Sequence, residues 1–151
     1  MWSALLHDPD PTLPTLDWQA LATPPAPGEP YGRRILHAEP AGEWLLMCWA
    51  PGIPTVPHDH GGAEGRIWVL QGRLLEHHLS TSLAVTAQRS AGAGEVMTVQ
   101  TDTIHRVTAA PHTLSLHCYK PLAQRGMRAF TEQGVVLLPA GHGAWLPLEA
   151  P

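Results

Sequence analysis

Residues 66–80 read RIWVLQGRLLEHHLS, which is two short apolar runs separated by Gln71-Gly72. Runs of this length that are bounded by glycine or polar residues are typical of β-strands. The same texture continues from Tyr31 onward, with Gly- and Pro-containing turns between the runs. Many short strands at close spacing favour an all-β sandwich or barrel over a parallel α/β sheet.

The first 30 residues have a different pattern. WSALL (residues 2–6) and TLDWQAL (residues 15–21) are brief apolar-periodic pieces, and a proline-rich segment follows each of them. We expect short helices here, joined by a proline-stiffened linker. A chain of 151 residues is long enough for one hydrophobic core and short for two. The predicted organisation is a single domain over 1–151, with a helical lead-in and linker over 1–30 and a barrel over 31–140.

Charge and composition exclude some classes of function. The formal net charge is −4 and the longest basic run is Arg33-Arg34, so we expect no nucleic-acid partner. The N-terminus begins without basic residues, and two aspartates interrupt it where a signal peptide would continue its apolar core. No segment approaches the ~18 consecutive apolar residues of a membrane span. We therefore expect a cytoplasmic protein without a membrane partner.

A pair of histidines, His58 and His60, lies in PHDHGGAEG (residues 57–65). In an extended segment, side chains at i and i+2 share a face, so both imidazoles can reach one ion while Asp59 points the other way. The chain has ten histidines, so the pair could also be two polar residues on a histidine-rich strand.

The surroundings of this pair form a two-part pattern. Gly52 precedes the pair, Glu64 follows it, and Gly94 stands eleven residues before His105. This pattern resembles the signature of the cupin superfamily, which implies a small cupin-type β-barrel (a double-stranded β-helix or jelly roll) with a metal site. The implied metal ligands are His58, His60 and His105. Three neutral imidazoles suit iron, zinc, copper or nickel.

A second polar cluster comes from TLSLHCYKP (residues 113–121). Ser115, His117 and Tyr119 alternate along this run, so they lie on one face of a strand. Polar groups that are buried need hydrogen-bond partners. We predict that the three side chains bond to one another and form a relay.

Together, these segments resemble the cysteine dioxygenase family of thiol dioxygenases, in its bacterial type. The resemblance rests on YGRR, CWAPG, HDHGG, VLQGRLLE, IHRV and SLHCYKP, which occur in that order between about Tyr31 and Tyr119. It implies Fe(II) as the cofactor and three groups of site residues. These are His58, His60 and His105 for iron, Ser115, His117 and Tyr119 beside it as the catalytic relay, and Tyr31 with Arg33 for the substrate carboxylate.

The activity implied by the resemblance is oxidation of a small thiol with O2 to the sulfinic acid. Three neutral ligands leave open positions on the metal, and a substrate thiolate supplies the missing negative charge. Arg33 suits the carboxylate of an amino acid thiol, so L-cysteine is the expected substrate and 3-mercaptopropionate the alternative.

Other functions remain possible at this point. If Glu64 is a fourth metal ligand, the protein is another metal-dependent cupin enzyme, such as an isomerase, although SLHCY then has no use. A non-catalytic cupin sensor leaves the redox-suited ligand set unexplained. Gly65 occupies the position where some members of the thiol dioxygenase family carry a cysteine linked to the tyrosine, so no cross-link is expected here.

Overall fold

The computed structural model of the protein describes residues 1–122 and 127–138. Two short helices come first: α1 (Trp2–Leu6) and α2 (Trp18–Leu21). The strands are β1 (Tyr31–Glu39), β2 (Gly42–Trp49), β3 (Glu64–Gln71), β4 (Arg73–Leu79), β5 (Val85–Gly92), β6 (Val96–Val99), β7 (Ile104–Ala109), β8 (Leu114–Lys120), β9 (Met127–Thr131) and β10 (Gly134–Leu138). These elements confirm the prediction of an all-β fold with short N-terminal helices. Residues 123–126 and 139–140 of the predicted barrel, and residues 141–151 of the predicted domain, lie outside the described residues.

The strands form two main antiparallel sheets. One has five strands in the order β1-β2-β8-β3-β6, and the other has three in the order β5-β4-β7. The hairpin of β9 and β10 extends the second sheet, since single-residue bridges connect His58 to His105 on β7 and to Ala129 on β9. Between the described strands, hydrogen bonding does not join the two sheets into a closed barrel. The arrangement is a jelly-roll sandwich with the core between the sheets.

The stretch RIWVLQGRLLEHHLS crosses from one sheet to the other. Its first half is β3 of the five-stranded sheet, and its second half is β4 of the three-stranded sheet. Gly72 makes the crossing with a φ of +78°, and a Cβ at this position would lie 2.2 Å from Oγ1 of Thr113. The turn therefore needs glycine both for its backbone conformation and for space.

Alternation along β2 sorts its side chains between two environments. Trp44 points outward and is fully buried in a cluster with Leu6 of α1, and the Trp2 and Trp44 rings lie 5.5 Å apart. The first helix therefore covers the back of the five-stranded sheet. Leu45 and Met47 point inward and pack in the core cluster that contains residues of both sheets. The same inner face lines the site described next.

Candidate active site

The three predicted metal ligands meet between the two sheets. His58 and His60 come from the segment between β2 and β3, and His105 comes from β7. The imidazole Nε2 of His105 lies 2.9 Å from Nε2 of His60 and 3.0 Å from Nε2 of His58. All three side chains are buried, and among the described residues they form the group that could hold a metal ion.

Asp59 points away from the two histidines that flank it, as alternation predicts. Its buried carboxylate accepts hydrogen bonds from Nε of Arg128, at 2.6 Å, and from the Arg128 backbone N–H, at 2.9 Å. The ion pair ties the histidine segment to β9. It therefore helps to hold both imidazoles on the opposite side of the chain.

The outer ring nitrogens of two ligands have fixed partners. Nδ1 of His58 lies 2.7 Å from the carbonyl oxygen of Val56, and Nδ1 of His105 lies 2.7 Å from Oε2 of Glu76. Since these oxygens accept, each Nδ1 carries a hydrogen, and in the neutral imidazole the lone pair then lies on Nε2. The two Nε2 atoms lie 3.0 Å apart, so both could offer their lone pairs to one cation.

The protonation state of the ligands also fits a metal. Burial, together with the neighbouring histidines, lowers the pKa of both His58 and His60 well below the ordinary value. The imidazoles are therefore neutral near pH 7, which is the form that binds metal ions. The donor set and its geometry fit a three-histidine metal centre.

Glu76 was missed by the sequence analysis. Its side chain is fully buried, and its second oxygen, Oε1, accepts from Nε of Arg89 and contacts Nε2 of His78. Burial raises the pKa of Glu76, but hydrogen bonds from His105 and Arg89 outweigh that effect and lower it to about 2. The sequence contained a signal for this residue. Glu76 and Leu74 are two residues apart on β4, so both side chains face the interior.

Glu64, the candidate fourth ligand, lies elsewhere. It is exposed at the start of β3 and borders a cavity on the outer face of the five-stranded sheet, together with Trp44 and Cys118. The four-ligand alternative is therefore wrong for the described structure. The next residue, Gly65, faces inward, and a Cβ there would lie 2.6 Å from Cε1 of Tyr119.

The predicted relay is a continuous chain of hydrogen bonds on β8. Oγ of Ser115 lies 2.7 Å from Nε2 of His117, and Nδ1 of His117 lies 2.9 Å from the hydroxyl of Tyr119. Nε1 of Trp49, a residue that sequence analysis did not assign, donates to Oγ of Ser115 at 2.8 Å. The Tyr119 ring stacks on His60 with 4.3 Å between centroids, so the chain ends beside the histidines.

Burial sets the charge of the relay. It lowers the pKa of His117 to about 3, with a further contribution from His105, and it raises the pKa of Tyr119. Both groups are therefore neutral across the physiological range. Trp49 can only donate, so the Ser115 hydroxyl is free to donate to Nε2 of His117, whose Nδ1–H then donates to Tyr119. This order leaves the phenolic hydrogen of Tyr119 to point into the pocket.

One pocket contains most of the predicted site residues. It is lined by the three histidines, by His117 and Tyr119, and by Tyr31 and Arg33 from β1, while Ser115 lies behind His117. The Tyr31 and Trp49 rings meet edge to face at 5.2 Å. Apolar lining comes from Leu45, Met47, Ile67 and Val107. The sequence-predicted residues thus converge, although they come from three strands (β1, β7 and β8) and a loop.

Two facing antiparallel sheets around three histidines define the class of double-stranded β-helix, or cupin, metal proteins. The chain belongs to the cysteine dioxygenase type I family, whose model matches residues 18–133. The resemblance found in the sequence is thereby confirmed. Family, fold and histidine group together support a metal-dependent cupin dioxygenase. Among the described residues, no helix is long and apolar enough to cross a bilayer.

Solved structures confirm the cupin fold. A conserved protein with a double-stranded β-helix domain from Klebsiella pneumoniae matches with a TM-score of 0.64 and 14% identity, over 80% of this chain and 100% of the other. TT1209 from Thermus thermophilus matches with a TM-score of 0.57 and 16% identity, over 71% and 96% of the two chains. KdgF from Halomonas sp. matches with a TM-score of 0.53 and 19% identity, over 61% and 79%. At these identities the likeness concerns the fold.

Proposed function

We propose that the protein is a non-heme Fe(II) thiol dioxygenase that oxidises L-cysteine with O2 to the sulfinic acid. The reaction R–SH + O2 → R–SO2H is balanced, since both oxygen atoms end on sulfur and no other reductant takes part. The observation that carries the proposal is the composition of one pocket. It joins three buried imidazoles, a tyrosine at the end of a buried relay and an arginine.

The ligand set supports iron among the metals that imidazole accepts. Fe(II) held by His58, His60 and His105 would supply the redox chemistry that makes O2 reactive toward a thiolate. The protein contributes three neutral donors and no carboxylate within the group. An anionic sulfur therefore complements the charge of the site better than a neutral ligand does.

Arg33 is the group that would bind the substrate carboxylate. It lies on the inner face of β1, half-buried, on the pocket wall. Burial lowers its pKa, but a guanidinium stays charged at physiological pH. A planar guanidinium matches a carboxylate with two parallel hydrogen bonds, which fixes the orientation of the thiol as well as its affinity. Tyr31, two residues before Arg33, packs on Trp49 and would limit the space around a carboxylate bound to Arg33.

Tyr119 is the group that would donate a hydrogen bond to the reacting atoms. The chain from Trp49 through Ser115 and His117 orients the phenol, and burial raises its pKa so that it keeps its proton. A preoriented donor stabilises negative charge that develops on oxygen or sulfur without the cost of reorganising solvent. The apolar lining of the pocket excludes bulk water from these groups.

A direct test is anaerobic reconstitution with Fe(II), followed by O2 consumption with L-cysteine, 3-mercaptopropionate and cysteamine in parallel. We expect stoichiometric O2 uptake with L-cysteine and a product heavier by two oxygen atoms. His58→Ala is expected to abolish turnover. Faster turnover of 3-mercaptopropionate than of L-cysteine would support the dioxygenase reaction and identify 3-mercaptopropionate as the preferred substrate. Thiol-independent O2 uptake, or none by the iron-loaded protein, would contradict the proposal.

A further inference from the structure

A second charged residue, Glu43, lines the same pocket. It is the one charged residue of β2 (GEWLLMCW) and occupies the inward phase that Leu45 and Met47 continue. Its Cα neighbours across the sheet are Ala38 on β1 and Tyr119 on β8. The carboxylate is half-buried on the pocket wall.

Glu43 is electrostatically linked to the arginine that would bind the substrate. Burial raises the pKa of Glu43, and the positive charge of Arg33 partly offsets that effect. In return, Glu43 favours the charged form of Arg33, which burial disfavours. Glu43 also contributes to the raised pKa of Tyr119. The carboxylate therefore interacts electrostatically with both the guanidinium and the phenol.

The two charges together change which ligand the pocket favours. Arg33 alone would attract any carboxylate. With Glu43 lining the same pocket, a ligand that brings only negative charge meets repulsion as well as attraction. An amino acid brings a carboxylate for Arg33 and an amine whose N–H groups can donate to Glu43, whether the amine is protonated or neutral.

We propose that Glu43 is a specificity-determining residue, which makes the pocket favour thiols that carry an amino group beside the carboxylate over thiols that carry a carboxylate alone. This inference rests on the proposed thiol dioxygenase function. L-Cysteine is then preferred to 3-mercaptopropionate because of Glu43, and to cysteamine because of Arg33.

The test compares Glu43→Gln, which removes the charge and keeps the shape, with Glu64→Gln, which removes the same charge from the outer face. The ratio of kcat/KM for L-cysteine to that for 3-mercaptopropionate is measured for each iron-loaded protein. We expect the ratio to fall about tenfold in Glu43→Gln, with an absolute gain for 3-mercaptopropionate, and to stay unchanged in Glu64→Gln. A ratio that changes less than twofold, or an equal loss for both thiols, would overturn the role of Glu43.

Equilibrium binding separates this inference from the dioxygenase activity. Anaerobic calorimetry gives the affinities of both thiols without turnover, and thermal melting shows that the variants are folded. A Glu43-dependent preference for L-cysteine in binding, without O2 uptake, supports the inference and contradicts the proposed function. Normal O2 uptake with L-cysteine, together with a thiol preference that Glu43→Gln leaves unchanged, supports the proposed function and contradicts the inference. If wild-type protein binds neither thiol, both are wrong.

Discussion

Oε2 of Glu76 lies 2.7 Å from Nδ1 of His105. The two residues are on neighbouring strands, where His78 rather than Glu76 is the Cα partner of His105, so the carboxylate reaches along the strand direction to the ring. Arg89 and His78 contact its other oxygen. Glu76 therefore fixes the tautomer and orientation of one metal ligand from behind.

Replacement of Glu76 is expected to weaken metal binding. Glu76→Gln keeps the shape but loses the charge that holds the His105 N–H, and losses of this kind typically lower metal affinity about 10- to 100-fold. Competition against a metal-binding dye measures the affinity of the purified apoprotein. Glu132→Gln, at an exposed position, serves as the control. If both variants bind metal like the wild type, Glu76 does not position His105.

Local rules predicted much of the site, and strand register decided the remainder. The i, i+2 rule placed His58 with His60, and Ser115 with Tyr119, because it needs only an extended chain. Trp49, Glu76 and Glu43 were missed, since their partners lie on other strands and register between distant strands is not written in either strand alone. The predicted double-stranded β-helix or jelly roll is confirmed, but whether its two sheets close into a barrel depends on which strand edges pair, which the sequence alone does not show.

Removal of the first donor of the relay is expected to slow catalysis without loss of metal. Trp49→Phe keeps an aromatic ring against Tyr31 but deletes the N–H that donates to Ser115. The Ser115 hydroxyl can then turn away from His117, so the Tyr119 proton is no longer held toward the pocket. We expect kcat to fall roughly tenfold in Trp49→Phe and about 100-fold in Tyr119→Phe. Metal content, measured in parallel, should stay unchanged in both variants.

Space beside Tyr119 gives a third prediction. A Cβ on Gly65 would lie 2.6 Å and 2.9 Å from two carbon atoms of the Tyr119 ring. The ring stacks on His60, so it cannot move freely. Gly65→Ala should therefore destabilise the fold by about 1–3 kcal/mol and lower kcat. Chemical denaturation and steady-state kinetics measure the two effects, and unchanged values for both would show that the ring has room to move.

The buried neutral His117 predicts a pH dependence of stability. Its folded pKa is about 3, whereas an unfolded histidine titrates near 6.5. Between about pH 6.5 and pH 3 the unfolded state therefore binds more protons at this residue than the folded state does. The contribution of His117 to the free energy of unfolding is highest above about pH 6.5 and decreases as the pH falls toward 3. For one such group the slope approaches about 1.4 kcal/mol per pH unit.

Urea denaturation of metal-free protein between pH 7.5 and 5 checks this prediction. His58 and His60 also have lowered pKa values and add to the wild-type slope. The difference between wild type and His117→Gln isolates one residue. The variant should show a shallower loss of stability as the pH falls. Parallel curves would mean that His117 does not stay neutral in the folded protein.

The neighbouring pair Arg33 and Arg34 provides a matched test of carboxylate binding. Arg33 points into the pocket, whereas Arg34 is exposed and donates to the carbonyl oxygen of Leu21. Deletion of the guanidinium leaves a substrate carboxylate without its partner, which typically costs about 2–5 kcal/mol. Arg33→Ala should therefore lower kcat/KM for L-cysteine and 3-mercaptopropionate at least about 30-fold. Cysteamine has no carboxylate, so its kcat/KM should change little, and Arg34→Ala should leave all three thiols unaffected. Equal losses for cysteamine and L-cysteine in Arg33→Ala would show that Arg33 supports the pocket wall and does not bind the carboxylate.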